Sequence, residues 1–372
     1  MRFLLAFLII GVSFSAQAQI VDASFFPAMK TINPGVVHLR QHGFIGAELS
    51  KRSFAKQHDV TKYNLVDGIQ TDVELQKATV YRAGKGPGFT IEGMFDQESG
   101  TQVDTSQVAS DKRKTTSEAS STFLSGTLDF KYFGISYARS SYDFLYKFRV
   151  GAVPDLSAND VKEELTYTML KVGSAIKLGP VRLGAYYLTR TGDGSFTYTY
   201  YDPNTGNKGD TEAFDTSSAA HGYGVGIGAT GPKLRAEASF EKMSPITVDI
   251  PSDYPEPVND TPASSRLSVV GEVKFTKLAL GFRARQIKGN FYDLQDIISA
   301  NLLYKNLTAE DSRLETTFNF GLGISKGLSV SGFYTQSTIK TEELDPIDPD
   351  SGDRFPAETK ATAMGVNVSY VY

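Results

Sequence analysis

The 372-residue chain has no cysteine and no tryptophan, and it contains only four histidines. Without cysteine there is no disulfide framework, no thiol chemistry and no thiol for lipid attachment. Beyond the first 18 residues, no apolar run approaches the roughly 20 residues that a membrane-spanning helix needs. Acidic side chains outnumber basic ones, 42 against 38, and this balance gives no reason to expect a nucleic-acid partner. The sequence therefore indicates either an exported soluble protein or a membrane β-barrel.

The N-terminus has the pattern of a secretory leader. Arg2 is followed by an apolar run, Phe3–Phe14, and then by the small-x-small triplet Ala16-Gln17-Ala18. We expect a cleaved signal peptide over residues 1–18 and a mature chain that begins near Gln19. Cleavage removes one basic side chain, so 37 remain against 42 acidic ones, a formal net charge of −5.

The last twelve residues, Ala361–Tyr372, alternate as a strand whose two faces differ. One face is apolar: Met364, Val366, Val368, Tyr370 and Tyr372. A soluble sheet can show the same alternation, but the length and the terminal aromatic favour the lipid-facing closing strand of a barrel. The stretch also resembles the C-terminal signal that outer-membrane barrels present to their assembly machinery. We therefore expect that machinery as a partner, through Ala361–Tyr372.

A weak internal repeat of strand, short turn and strand runs from residue 121 onward. The five hairpins are 123–138, 170–187, 222–240, 268–284 and 319–334, with tight turns at KLGPV, ATGPK, FTKL and SKGL. Polar stretches are predicted as long connections: 52–71, 98–119, 151–161, 202–217, 244–263, 289–311 and 341–360. Short turns at one end and long polar loops at the other are typical of outer-membrane barrels.

These observations predict an all-β fold, a transmembrane antiparallel β-barrel over residues 43–372 with about fourteen strands. Several strands exceed ten residues, whereas strands of soluble sandwiches average about 5 to 6. Two alternatives stay open. Asp72–Gln97 can belong to one long loop, which leaves about twelve strands, and Gly289–Asp311 can contain a short helix.

Two motifs near the start of the mature chain suggest a family. Asn33-Pro34-Gly35-Val36-Val37, followed by Gly43–Ala47, resembles the Asn-Pro-Ala stretch and first strand of the FadL-like long-chain fatty acid transporters. That outer-membrane family also includes aromatic hydrocarbon channels. The resemblance implies a fourteen-stranded barrel and an N-terminal segment, residues 19–42, that plugs the lumen with Asn33, Pro34 and Gly35. It also implies that a hydrophobic substrate leaves sideways, through a wall opening beside a kinked strand.

Residues that could line a solute path are predicted from strand alternation. Because Tyr223, Val225 and Ile227 are expected to face outward, the four glycines between and beside them face inward: Gly222, Gly224, Gly226 and Gly228. The missing side chains can leave a solute cavity, a bent wall, or room for a loop or the plug. Tyr186 and Phe333 are the aromatic candidates for the same lumen.

The expected function is an outer-membrane channel for passive uptake of small hydrophobic molecules of the fatty acid or hydrocarbon class. The expected partners are that substrate and the outer-membrane lipid and lipopolysaccharide around the barrel. One alternative is a general diffusion porin, in which inward charges set the ion preference: Arg182, Arg190, Arg283, Arg285, Glu237, Glu272 and Glu315. Another is a surface adhesin or structural barrel whose long acidic loops contact a partner.

No enzyme, cofactor or metal site is expected. The acidic loop carries four aspartates but no EF-hand spacing, so we interpret it as solvated rather than as a calcium site: Asp345, Asp348, Asp350 and Asp353. His221 lies near Ser217 and Asp215 in the sequence, but nothing there identifies a catalytic triad.

Overall fold

The computed structural model describes residues 44–60, 65–79, 89–104, 114–129, 133–149, 157–202, 205, 207–231, 233–245, 247–249, 263–289, 312–325, 327–344 and 354–371. Within these ranges the chain is all-β, as predicted. The strands are β1 (Phe44–Val60), β2 (Leu65–Thr79), β3 (Phe89–Asp104), β4 (Lys114–Asp129), β5 (Phe133–Arg149), β6 (Ser157–Leu178), β7 (Val181–Tyr201), β8 (Lys208–Thr230), β9 (Leu234–Met243), β10 (Thr247–Asp249), β11 (Ser264–Lys274), β12 (Leu278–Lys288), β13 (Ser312–Gly323), β14 (Leu328–Leu344) and β15 (Arg354–Val371).

All of these strands belong to one antiparallel sheet that closes on itself. From β1 to β9 each strand pairs with the next strand in sequence, and β11 to β15 do the same. β15 pairs with β1, and β9 pairs with both β8 and β11, which closes the described strands other than β10 into a ring. The short β10 lies outside the ring order because its recorded partner is β8 alone.

Tight turns join five hairpins at one end of the barrel, which we call the turn end. They connect β4–β5, β6–β7, β8–β9, β11–β12 and β13–β14, the five hairpins that the repeat predicts. The β6–β7 turn holds Gly179 at a φ of 62°, a left-handed conformation that favours glycine. The opposite end, where the longer connections lie, is the loop end.

Apolar side chains cover the outside of the barrel next to the turn end. On β7, Leu183 and Tyr187 are exposed, whereas Arg182 and Tyr186 beside them are buried. The same alternation recurs on the other strands whose side chains the structure describes, and thirty-two large hydrophobic side chains among them are more than a third exposed. If these apolar side chains faced inward, the charged side chains that alternate with them would face the outside. The alternation therefore determines which face of each strand lines the lumen.

Among the described residues, no helix has the length and apolarity needed to cross a membrane.

The closing strand follows the predicted alternation with one exception. Met364 and Val366 are 57% and 52% exposed, whereas Asn367 on the other face is buried. Tyr370 shares the apolar face but is only 9% exposed. Its register partner on β14 is Leu328, whose side chain lies directly beside it.

Several connections are shorter than predicted. The predicted loop 202–217 falls mostly within β8, since β7 ends at Tyr201 and β8 begins at Lys208. Strands likewise extend into the predicted loops 52–71, 98–119, 151–161 and 341–360, and the segment 72–97 lies largely in β2 and β3. These stretches are polar on both faces, so hydrophobic alternation cannot reveal them, but backbone pairing continues through them.

The wall is much longer on one side of the ring than on the other. β6, β7 and β8 have 22, 21 and 23 residues, whereas β9, β11, β12 and β13 have 10 to 12. At the loop end β8 extends well past β9, because its pairing with β9 stops at Gly222 whereas β8 begins at Lys208. Residues 1–43, with the predicted signal peptide and plug motif, lie outside the described part of the chain, as does most of 289–311.

Candidate functional site

The four predicted glycines of β8 lie on the inner face of the barrel. Tyr223, Val225 and Ile227 are 47%, 48% and 51% exposed, and the glycines that alternate with them are buried or half-buried. Their register partners on β7 include Tyr186, opposite Gly224, and Leu188, opposite Gly222. The glycine row and Tyr186 therefore share one stretch of inner wall.

Side chains from β9 fill the space above two of these glycines. A Cβ atom placed on Gly222 would lie 2.5 Å from Met243 Sδ, and one on Gly228 would lie 2.8 Å from Glu237 Cγ. The glycines thus accommodate a neighbouring strand's side chains rather than leaving an open cavity at these two positions. The β8–β9 register explains these contacts, because it pairs Gly222 with Met243 and Gly228 with Glu237.

An apolar cluster forms around the loop-end part of this wall. Tyr186, Leu188, Ala220, Met243 and Ile287 pack together, and Met169 packs against them. Four strands, β7, β8, β9 and β12, contribute these buried side chains. Phe333 is not part of the cluster: it lies on β14, where its ring covers Gly365 of β15 at 2.5 Å from an added Cβ.

Aromatic side chains continue the apolar surface toward the loop end. On β5, Tyr142 and Phe144 are almost fully buried and stack with ring centroids 5.8 Å apart. On the same face as Tyr186, Phe196 of β7 stacks on Phe214 of β8 at 5.3 Å, and Tyr198 stacks on Phe214 at 5.9 Å. Aromatic side chains therefore pack against one another along the inner wall of β5, β7 and β8.

Two cations lie over aromatic rings within this wall. Lys171 Nζ is 3.9 Å from the centroid of the Tyr186 ring, and Arg190 Cζ is 4.1 Å from that of Tyr167. Such contacts hold a cation against an apolar surface with its aliphatic stem buried. The alternation of β7 predicted that Arg190 faces inward, and its 5% exposure agrees.

The turn-end part of the lumen is charged instead of apolar. Arg235 of β9 is fully buried and donates from Nε to Glu237 Oε1 at 2.8 Å and from Nη1 to Glu272 Oε1 at 3.0 Å. The two carboxylates have side-chain exposures of 3% and 0%. Arg182, 4% exposed, interacts electrostatically with Glu237 from the other side. The charges therefore form a compensated network within the wall.

A second ion pair lies where the charged and apolar parts meet. Arg266 of β11 donates from Nε to Glu241 Oε2 at 2.6 Å, and the Tyr186 hydroxyl donates to Glu241 Oε1 at 2.9 Å. Glu241 therefore fixes the polar tip of Tyr186 and leaves its ring to the apolar cluster. Sequence reasoning placed Tyr186 in the lumen but did not identify this carboxylate as its partner.

A third network lies farther round the ring and is more open. Arg283 Nη2 is 3.4 Å from Glu315 Oε1, and Arg285 Nη1 is 3.7 Å from the same atom. The porin alternative assigned inward charges to Arg283, Arg285, Glu315 and Glu272. Each of these four side chains lies near an opposite charge. Arg235, Glu241 and Arg266 carry much of the inner electrostatics and were not among the porin charges singled out from sequence.

The possible triad and calcium site do not gain support. His221, Ser217 and Asp215 all point outward from β8, and the four-residue step from Ser217 to His221 spans about 13 Å of strand. No group of three or more His, Cys, Asp or Glu in the described ranges is arranged to hold a metal ion. The acidic loop with Asp345 lies outside those ranges.

Comparison with known proteins gives a likeness of structure. No family model matches the sequence, and no curated protein matches it. A Pseudomonas aeruginosa FadL homologue superposes with a TM-score of 0.52 at 9% identity, covering 91% of this chain and 92% of that one. The P. putida toluene transporter TodX superposes with a TM-score of 0.52 at 11% identity, covering 92% and 93%.

The fold is therefore that of the FadL-like outer-membrane barrels, which confirms the resemblance seen in the sequence. The coverage extends over nearly the whole of each chain, so the likeness concerns the complete barrel and not one hairpin. At about 10% identity the likeness establishes the fold alone.

Proposed function

We propose that the protein is an outer-membrane channel through which small hydrophobic molecules enter by passive diffusion. The observation that carries the proposal is the apolar inner wall at the loop end: Tyr186, Leu188, Ala220, Met243 and Ile287 pack in the lumen of a closed barrel. Ligand sites for apolar molecules are concave and lined by apolar and aromatic side chains with few polar groups. A water-filled pore has no need of such a lining.

The outer face supports a membrane location. Outward positions of β7 stay apolar from Val181 to Tyr187 and become polar at Thr189. From Val181 to Tyr187 the strand rises about 20 Å, which at a tilt of about 40° covers about 15 Å of the membrane normal. Outer-membrane barrels carry an apolar band about 25 Å tall, bordered by aromatic side chains. Tyr187 and Tyr223, which are register partners, are in the position of such a border.

The two neighbours named above are a FadL homologue and a toluene transporter. Both names are consistent with an apolar solute, and the fatty acid and hydrocarbon classes both fit the lining. The cations at the edge of the lining, Lys171 and Arg190, would suit a solute with an anionic end.

An interruption of the strand ladder next to the apolar cluster supports a sideways route out. β9 ends at Met243, Pro245 follows, and β10 resumes at Thr247. Proline has no N–H to donate, so it interrupts the ladder. Of the described strands, β11 pairs with β9 up to Met243, whereas β10 pairs with β8 alone. A solute on the cluster is thus beside an interrupted part of the wall, where it leaves sideways.

The general porin is the weaker alternative. Its selectivity would come from charges exposed to a water path, but Arg235, Glu237 and Glu272 are buried and paired with one another. Compensated charges of this kind give little net field in the lumen. The apolar cluster also has no role in a pore for hydrophilic solutes.

Uptake by intact cells tests the proposal. A Gram-negative host with its own uptake channels deleted is given labelled long-chain fatty acid, labelled toluene or a labelled sugar. We expect the protein to raise uptake of one or both apolar solutes and not of the sugar. Leu188→Gln places an amide in the cluster and should lower that uptake severalfold, because an apolar solute would have to desolvate it.

Leu188→Met is the matched control, since it changes shape while keeping volume and polarity. Both variants are compared at equal abundance in the outer-membrane fraction. Sugar uptake above that of cells without the protein, together with large single-channel conductance, would contradict the proposal and favour the porin. Equal apolar uptake by Leu188→Gln and Leu188→Met would remove the cluster from the path.

A further inference from the structure

Three exposed lysines lie in one register row on the outer face of the barrel. Lys242 of β9 pairs with Ser265 of β11, which pairs with Lys288 of β12. Lys288 pairs with Ser312 of β13, which pairs with Lys340 of β14. We call these three lysines the basic row. Strands are about 4.8 Å apart, so neighbouring lysines of the row are separated by about 10 Å, with a serine between them.

The basic row lies at the loop-end border of the apolar band. Phe240, 39% exposed, is the outward position next to Lys242 on the turn-end side. On β12 and β14 the outward aromatics Phe282 and Tyr334 lie farther toward the turn end than the lysines. Lys288 is also the last residue of β12, so the row marks the upper limit of this short wall.

The row carries uncompensated positive charge. None of its lysines forms an ion pair with a carboxylate in the described part of the chain. Glu358, the register partner of Lys340, is paired at 3.1 Å with Lys360 of its own strand. Acidic side chains lie instead on the outward face of the long strands: Glu164, Asp193 and Asp215. Among the described residues, the outward lysines of the short strands thus lie apart from these acidic side chains of the long strands.

We propose that the basic row binds the phosphate groups of an anionic glycolipid in the leaflet that surrounds the loop end of the barrel. Lysine is a compact point charge that recognises phosphate, and the border of the apolar band is the depth at which lipid phosphates lie. Lipid acyl chains then contact the outward aromatics below the row, and the serines are placed to accept or donate hydrogen bonds to the head group. The lipid would anchor the side of the barrel that has the short wall and the strand break. This inference rests on the membrane location in the proposed function.

Binding of a defined lipid to the purified full-length protein tests the inference. The probe is bisphosphorylated lipid A, titrated into the protein in non-ionic detergent micelles, and binding is followed by native mass spectrometry. An ammonium near an anionic lipid surface contributes about fivefold in affinity. We expect Lys242→Gln/Lys288→Gln/Lys340→Gln to weaken binding tenfold or more, and each single change to weaken it severalfold.

The matched control has the same loss of charge at exposed lysines outside the row: Lys162→Gln/Lys208→Gln/Lys277→Gln. It should bind within twofold of the unchanged protein, and the Lys→Arg triple variant of the row should retain most of the affinity. Added salt should weaken binding of the unchanged protein more than that of the triple Gln variant. Dephosphorylated lipid A should bind the unchanged protein and the triple Gln variant of the row with equal affinity.

Two results would overturn the inference: equal loss of affinity in the row and control variants, or equal binding of lipid A with and without its phosphates. The single variants keep the test decisive if the triple variant does not fold. Flotation with phosphatidylcholine vesicles checks the membrane location separately. A protein that does not float contradicts the proposed function, whereas one that floats but binds lipid A independently of the row contradicts this inference alone.

Discussion

Replacing the buried arginine of the turn-end network should strongly destabilise the barrel. Arg235 has a fully buried side chain and lies 2.8 and 3.0 Å from two carboxylates that are themselves buried. Arg235→Met keeps most of the side-chain volume but leaves Glu237 and Glu272 close together without that positive charge. Breaking a buried ion pair by removing one partner costs about 3–5 kcal/mol, because the remaining charge stays desolvated.

The same change at the more open network provides the comparison. Arg283 and Glu315 have side-chain exposures of 17% and 12%, and their contact is 3.4 Å long. Partial exposure to solvent screens the charges, so we expect Arg283→Met to cost about 1 kcal/mol. A third variant, Arg235→Met/Glu237→Gln/Glu272→Gln, removes the orphaned charges and should recover most of the loss.

Urea unfolding of the barrel in phosphatidylcholine vesicles, followed by far-ultraviolet circular dichroism, measures these differences. The expected order of midpoints is unchanged protein, Arg283→Met, the triple variant close to it, and Arg235→Met lowest. Equal midpoints for Arg235→Met and Arg283→Met would refute the reasoning from burial. A triple variant as unstable as Arg235→Met would show that lost packing, and not uncompensated charge, causes the effect.

Two further changes test other parts of the structure by the same unfolding assay. Gly222→Ala should destabilise by about 1–3 kcal/mol, because its Cβ would meet Met243 Sδ at 2.5 Å and the Lys242 carbonyl oxygen at 2.8 Å; Gly271→Ala, with nothing within 4 Å, is its control and should change stability little. Val225→Lys, on the apolar outer face of β8, should cost about 2–4 kcal/mol in a bilayer, whereas Ala213→Lys, on the same face beyond the band, should cost about 1 kcal/mol or less. Equal losses of stability for Gly222→Ala and Gly271→Ala would contradict the packing around Gly222. Equal losses for Val225→Lys and Ala213→Lys would contradict the membrane placement.

The fold could be predicted wherever the two faces of a strand differ chemically. The hairpin 170–187 alternates apolar and polar residues, and its turn contains glycine and proline, so strand, turn and orientation all follow. The inward position of Tyr186 and of the four glycines follows from the same alternation. Where polar residues dominate both faces, as in 208–217, the pattern disappears although the strand continues, so the sequence predicts a loop there.

The partners of the inner charges could be predicted only within hairpins. Gly222 and Met243 belong to one hairpin, and the tight turn between them sets their register. Arg235 and Glu272 pair across β9 and β11, which a long connection separates. A connection of that length does not fix register, since closure entropy varies only slowly with loop length. The sequence therefore shows that charges face inward but not which of them form pairs.

The division of the lumen into an apolar and a charged part bears on the direction of the transport that we propose. Tyr186 belongs to both parts, because its ring packs in the apolar cluster while its hydroxyl donates to Glu241. A solute that has displaced water from the apolar wall would lose that gain by moving on toward Arg235 and Glu272, whose hydrogen bonds it cannot replace. The interrupted strand after Met243 lies at the end of the apolar wall, before the charged part begins. Side-chain chemistry alone thus favours a path that turns sideways there over one that continues along the barrel axis.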